Sequence, residues 1–419
     1  MDVDARKLHA EVQAVSAEVH ALRECMLYVG ALRQDQYLAA LHRRLFAQKL
    51  MAHPLGLCRG WTEALDGNGL EERIWYLCEC QEIATLAAMS RANNHFLQRL
   101  TQWRTNRQAV ICVCGGIGID VEQSSVEFFN PQGNVWTSFP PMRSARCGPA
   151  SAIINGRLHI CGGRDGNDII LNSTERFDHE RSCWEILPPM NSARFLPAAA
   201  GMQGSLYVCA GWDRYEIPSN SLERFDSRHC VWEPLPSMFS VRFGPAAAAL
   251  GGYLYVCGGL GDYDIVLTSV ERFDPARGLW EALPPMSEAR FAFAAATVRG
   301  CLCVCGGFSE DEVARNSVER FNPEIGGWET LAPMTCNRAG PAVAALCGIL
   351  YVCGGVSSTE NTLSSAERFD PEHGVWELLP PMGSVRDCAS ASMLLLQRSS
   401  PPAEDLGNRE PPSRRRRIE

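Results

Sequence analysis

Along Arg242 to Met286 the apolar positions gather into four short runs, each closed by turn residues. The first, "FGPAAAAL", is small and apolar and ends at Gly251-Gly252. The same slot elsewhere reads Asn155-Gly156, Gln203-Gly204, Arg299-Gly300 and Cys347-Gly348, and Gly there is what a tight hairpin needs. The second run, "YLYVCGG", is aromatic and β-branched and stops at a Gly pair able to take backbone conformations closed to other residues. The third and fourth, "SVERFDP" and "LWEALP", are parted by the Pro and Gly turn chemistry of "DPARG". The pattern predicts four antiparallel strands with no helical spacer.

The stretch recurs. Trp136, Trp184, Trp232, Trp280, Trp328 and Trp376 stand 48 residues apart, as do Met142, Met190, Met238, Met286, Met334 and Met382. A period in this range marks a repeat architecture whose units cannot bury their apolar faces alone. Six copies between Ala109 and Leu396 predict a propeller of four-stranded blades around a central channel. Ala, Gly and Ser suit the crowded strands near the axis and Trp and Phe the wider gaps between blades, so Trp280 and Phe273 are expected in blade packing. The first unit opens at its second strand, "AVICVCGG", and the last leaves an unmatched first strand, "RDCASASMLLL". The halves complement, so Arg386 to Leu396 is expected to close the ring as the innermost strand of the blade that begins at Ala109, leaving no open edge.

A Gly pair, then Glu-Arg-Phe with Asp-Pro, Trp six residues after that Asp, Pro-Met, and an Arg four residues after the Met resembles the Kelch repeat. Departures are local: Ala210 replaces the first Gly of its pair, Phe128 stands in an Arg slot, and Ser237 interrupts a Pro pair. The resemblance implies an all-β six-bladed Kelch β-propeller over 109–396, closed by a C-terminal strand, after a short α-helical N-terminal region.

The formal net charge of -9, with no basic stretch inside the repeats, argues against nucleic acid as a ligand. The N-terminus lacks an apolar signal core and no run of 18 apolar residues occurs, so neither secretion nor a membrane is expected. Nineteen cysteines invite a disulfide or zinc reading, but Cys114, Cys161, Cys209, Cys257, Cys305 and Cys353 fall once per unit, too far apart in a ring to pair. The clustered ones alternate as "CVC", "CLCVC" and "CEC" and lack the C-x2-C spacing of zinc sites. Free, mostly buried thiols in a reducing cytoplasm or nucleus are expected.

Residues 1–50 carry Leu8, Val12, Val15, Val19, Leu22, Met26 and Val29 at spacings of four and three. That is a short coiled-coil stripe, suited to a homodimer or to packing on the chain's own domain. Residues 62–105 weakly resemble an F-box: Leu65, Ile74, Leu77, Glu82-Ile83 and Met89-Ser90-Arg91 match, whereas Asp66 replaces the expected Pro and the middle is one residue too long. This resemblance implies contact with a Skp1-type adaptor and a cullin; the plainer reading is a helical cap. Fewer than 110 residues precede the first blade, too few for the BTB and BACK domains of the common Kelch-like adaptors. The tail 397–419 is Pro-rich, polar and expected to be disordered, and Arg414 to Arg417 reads as a nuclear-import signal or a solvated tail.

Catalysis is not expected, and no cofactor or metal is called for. Copper needs converging ligands, but the His residues are scattered, with His179, His229 and His373 in third-to-fourth-strand turns of different blades. Variation concentrates in the second-to-third loops, where Trp212, Tyr215, Tyr263 and Phe308 stand among acids as on a protein-binding surface. Arg146, Arg194, Arg242, Arg290, Arg338 and Arg386 open the first strand of every blade. The Kelch resemblance implies that some of them meet an acidic peptide, and Arg242 and Arg290, beside the aromatic loops, with Arg194 and Arg338, are the candidates. Nearby loop acids offer the opposing reading, neutralisation within the fold. The expected role is a non-catalytic interaction module binding a partner protein through the loop-rich face. Its setting is either a cullin-RING ubiquitin ligase, as the substrate-recognition subunit, or a cytoskeletal or signalling scaffold.

Overall fold

The computed structural model describes residues 107–397 apart from 120, 179 and 180. The coiled-coil, F-box-like and other helical segments expected before residue 107, and the tail beyond 397, lie outside the described residues. Six antiparallel four-stranded sheets are formed, and their innermost strands adjoin one another in a closed ring, giving the six-bladed propeller. In blade 4, Ala246–Leu250 lies innermost, followed outward by Tyr253–Cys257, Val270–Asp274 and Leu279–Leu283. The first two strands are joined by Gly251 and Gly252 at φ 60° and 86°, and the same left-handed pair recurs at Asn155-Gly156 (48° and 73°) and Cys347-Gly348 (50° and 75°). Two consecutive positive φ angles make a hairpin turn whose twist matches its strands, which is why Gly holds the second place.

Closure uses both ends of the ring. Blade 1 takes Arg107–Cys114, Val126–Asn130 and Val135–Phe139 from the start of the propeller and Ser390–Gln397 from its end. The two inner strands pair along eight residues, from Arg107 opposite Gln397 to Cys114 opposite Ser390. The closing strand therefore begins four residues after Arg386, and the stretch between is a linker.

The core lies between blades, where one blade's second and third strands meet the next blade's aromatic residues. Phe273 is buried on Leu254, Val256 and Met238, and Trp280 packs against the same cluster. The indole N–H of each of the six periodic Trp residues also donates to a backbone carbonyl of the preceding blade's exit, as Trp184 does to Pro140 at 2.8 Å, and Trp136 to Pro380 across the closure at 2.8 Å. Only Trp184 is fully enclosed; the other five are half-buried lids over the interblade seams. The recurring thiols are buried, and burial pushes Cys114, Cys161, Cys209, Cys257, Cys305 and Cys353 up to about 12, so they stay protonated packing groups. These six recurring cysteines are free.

Small residues face the axis, and the cavity there is about 130 Å³, lined by alanines of the inner strands and by the prolines just before them. Approach is close enough that a Cβ on Gly201 would meet the Ile153 carbonyl oxygen at 2.2 Å.

Deleting the closing strand, Ser390 to Gln397, bares the whole inner edge of blade 1. Thermal unfolding is expected to lose its cooperative transition or to shift down by more than about 10 °C, given several lost kcal/mol at about 2 to 4 °C each. A truncated chain that melts like the full one would refute strand closure.

Candidate functional site

The second-to-third loops and the linkers between blades share one face. At the first junction Met142 N–H donates to the Ser124 carbonyl and Arg146 N–H to that of Gln123, at 2.8 and 3.1 Å, so the linker is laced to the loop of the blade it leaves. Each linker then delivers its arginine into the next blade. The Arg242 guanidinium donates to the Gly258 and Ser269 carbonyls at 2.7 and 3.0 Å, to Ser269 Oγ at 2.9 Å and to Glu271 Oε1 at 2.8 Å. The Glu271 carboxylate, the first residue of that blade's Glu-Arg-Phe, also accepts from Phe239 and Ser240 N–H of the linker. The same arginine-to-glutamate bond joins Arg146 to Glu175, Arg194 to Glu223, Arg290 to Glu319, Arg338 to Glu367 and Arg386 to Glu127 at 2.8 to 3.0 Å.

These arginines are at most 1% exposed, which corrects the expectation that Arg194, Arg242, Arg290 and Arg338 present themselves to a partner. Their terminal guanidinium nitrogens are spent inside the fold, and Nε of Arg146 and Arg242 is buried without a partner. The acids that neutralise them are the framework glutamates, joined at Arg290 by Glu288 of the linker, and not the second-to-third-loop acids. A signal for this existed in the sequence: Ser-X-Glu recurs in every blade at Ser125, Ser173, Ser221, Ser269, Ser317 and Ser365.

Just past each arginine the linkers form a collar around the channel mouth. Gly148 N–H donates to the Cys388 carbonyl, Leu196 to Gly148, Gly244 to Leu196, Ala292 to Gly244, Gly340 to Ala292 and Cys388 to Gly340, a closed circuit of six backbone bonds. All six residues have φ between 48° and 62°, and only three are glycine. Against the collar packs an aromatic group in which Trp212 stacks on Phe243 at 3.9 Å between centroids and Phe195 lies 5.8 Å from Phe243. Phe308 pairs with Phe291 at 5.3 Å. Trp212 and Phe308 are thus half-buried parts of the mouth, whereas Tyr215 and Tyr263 stand out at 73% and 95% exposure.

The loop tips form the outer crown. Asp213 Oδ1 accepts from Tyr215 and Ile217 N–H at 2.8 and 3.1 Å, which pinches its loop into a tight turn, and Asp165 does the same for Asn167 and Ile169. In five loops an acid at the tip takes a left-handed backbone: Asp168, Glu216, Asp264, Glu312 and Glu360, at φ 55° to 60°. The residue after it is turned outward, leaving Ile169, Ile217, Ile265 and Val313 at 49% to 58% exposure, with Val121 at 63% in the equivalent slot of blade 1. Blade 6 alone breaks the aliphatic series, with Asn361 there. This acid-then-aliphatic dipeptide, at the same 48-residue period, is a feature that reading the aromatic residues passes over.

Five stretches, 145–191, 193–239, 242–287, 289–335 and 337–383, match the Kelch motif. The chain belongs to the Kelch-repeat family. The blade split between the two ends of the Kelch propeller is not among the matched stretches, because its strands are not contiguous in sequence. A solved structure described as "Structure of YjhT" shares the fold with a TM-score of 0.53 at 14% identity, over 64% of this chain and 96% of that one. No curated protein matches the chain. Within the Kelch blades, and among the described residues, no group of three or more His, Cys, Asp and Glu side chains is placed to hold a metal ion. His229 and His373 bond Asp226 and Asp370 of their own hairpins at 2.7 and 2.6 Å. His159 is buried in blade 2, with Nδ1 2.8 Å from the Arg157 carbonyl, and burial pulls its imidazole down to about 4.

Arg242→Ala strands a buried carboxylate and is expected to cost about 3 to 5 kcal/mol in urea denaturation. Arg242→Met with Glu271→Leu should recover only part of this, since two linker N–H groups lose their acceptor. An Arg242→Ala chain of unchanged stability would refute the framework role.

The neutral form of His159 is the one the fold accepts, so its contribution to stability is full above the unfolded value of 6.5 and is lost as pH falls from there toward about 4. His159→Tyr, which installs the residue found at Tyr207 and Tyr255, is expected to retain about 3 kcal/mol more stability than wild type at pH 4, relative to their difference at pH 7.5. Parallel pH profiles for the two chains would contradict it.

Proposed function

We propose that the protein is a non-catalytic interaction module whose Kelch propeller binds a partner protein through the loop-rich face. The observation that carries this reading is the exposed crown: Tyr215, Tyr263 and five aliphatic tips are held outward by tight, hydrogen-bonded turns, away from any packing role. Burying such side chains is unfavourable only to the extent that the loops must be ordered first, and these loops are ordered already. The opposite face consists of short hairpins with little variation between blades. Residues 62–105 supply the second half of the proposal, as an F-box-like hook that joins a Skp1-type adaptor and cullin to whatever the propeller holds, in the cytoplasm. The support is the set of matches at Leu65, Ile74, Leu77 and Met89-Ser90-Arg91.

Affinity capture from cells with three full-length chains separates the two halves. Tyr263→Ser with Ile265→Ser is expected to lose the propeller's partner and keep the adaptor. Ile74→Asp with Leu77→Asp is expected to do the reverse. Recovery of no Skp1-type adaptor by the wild-type chain would remove the ligase role and leave a scaffold.

A further inference from the structure

Resting on the reading that the loop-rich face binds a partner, the chemistry of that face also selects what it binds. The second-to-third loops, 115–125, 162–173, 210–221, 258–269, 306–317 and 354–365, hold twelve acids against three arginines. Of those three, Arg164 is already engaged, 3.4 Å from Asp168 and over the Phe195 ring. The six arginines that would receive an acidic segment are sealed in the blades with their own glutamates. Glu216, Asp264, Glu312 and Glu360 are exposed at the tips, and among the described residues no ion pair joins them to a basic side chain.

Charge and apolar surface are interleaved here, since each tip acid is followed by the outward aliphatic or, in blade 6, by Asn361. The spacing is fixed by backbone geometry, because the acid's positive φ and the turn hydrogen bonds leave the dipeptide one conformation. Like charges on neighbouring blades repel at moderate salt, and a cationic partner relieves that repulsion while its side chains cover the aliphatic tips. Phosphate-rich ligands and anionic membrane surfaces are repelled by the same field.

We propose that the crown takes a basic protein segment in which lysines or arginines alternate with aliphatic or aromatic side chains. The test pans the full chain against a phage library of random peptides about 16 residues long. Enriched peptides are expected to carry net positive charge with apolar residues between the basic ones. They should bind at least about tenfold more weakly both to Tyr263→Ser with Ile265→Ser and to Asp262→Asn with Asp264→Asn and Glu312→Gln, and should weaken severalfold between about 50 and about 300 mM salt. Both variants should melt at the wild-type temperature, which separates lost contact from lost fold. Acidic or uncharged peptides that still need the crown would overturn the basic partner while leaving the loop-face reading standing. Peptides indifferent to both variants would overturn both, and a selection without enrichment would overturn the proposal.

Discussion

Everything on the loop-rich face hangs from a guanidinium buried against a carboxylate. Neither ion would be tolerated alone in the blade interior, where an unpaired charge costs several kcal/mol. The pair is tolerated because both terminal guanidinium nitrogens and the carboxylate are bonded, although Nε of Arg146 and Arg242 stays buried without a partner: the arginine reaches the Gly-pair carbonyl, a Ser hydroxyl and a Glu, and the Glu takes linker N–H groups in return. Three segments distant in sequence are thereby held at one point in each blade. The Gly pair turns its carbonyl inward, the loop that follows starts from a fixed direction, and the linker enters the next inner strand at a fixed angle. Such a pair adds less to net stability than to uniqueness of arrangement.

Much of this was legible beforehand. The 48-residue period, the hairpin slot and the unmatched strands at the two ends led to the ring and its closure, because strand length and turn chemistry are local properties of sequence. The choice between an exposed and an internally neutralised arginine is not legible in sequence because exposure is not local. An arginine at a strand entrance reads as a surface residue until its glutamate, 29 residues further on, is seen to fold back onto it. Glu271 lies in the same triplet as Phe273, and strand alternation puts the two on one side, with Arg272 on the other, bonded to Glu281. Trp212 and Phe308 are placed by a similar non-local pairing. Both directly follow the Gly-pair slot, and that position bridges to the linker residue after the arginine, as Trp212 does to Phe195 and Phe308 to Phe291.

The collar and the crown show two uses of the same backbone region. Left-handed conformations in non-glycine residues cost roughly 1 kcal/mol each. At the collar, Leu196, Ala292 and Cys388 accept that cost within a circuit of bonds that would break if any member relaxed. At the crown, the cost falls on acids whose short polar turns tolerate it, and the gain is direction: the next side chain cannot turn back onto the blade. Rigidity in the first case serves closure of the channel mouth, and in the second it serves presentation.

Asn361 gives this nearly sixfold object a heading. A face with six equal tips would let a ligand settle in any of six rotated poses, and nothing carried by the ligand would then be aimed anywhere in particular. With an amide in place of the aliphatic tip on the blade beside the closure seam, and with tyrosines on two adjacent blades only, the rotations cease to be equivalent. The disc becomes a dial with a marked zero, and a bound chain has one azimuth and one direction of travel across it.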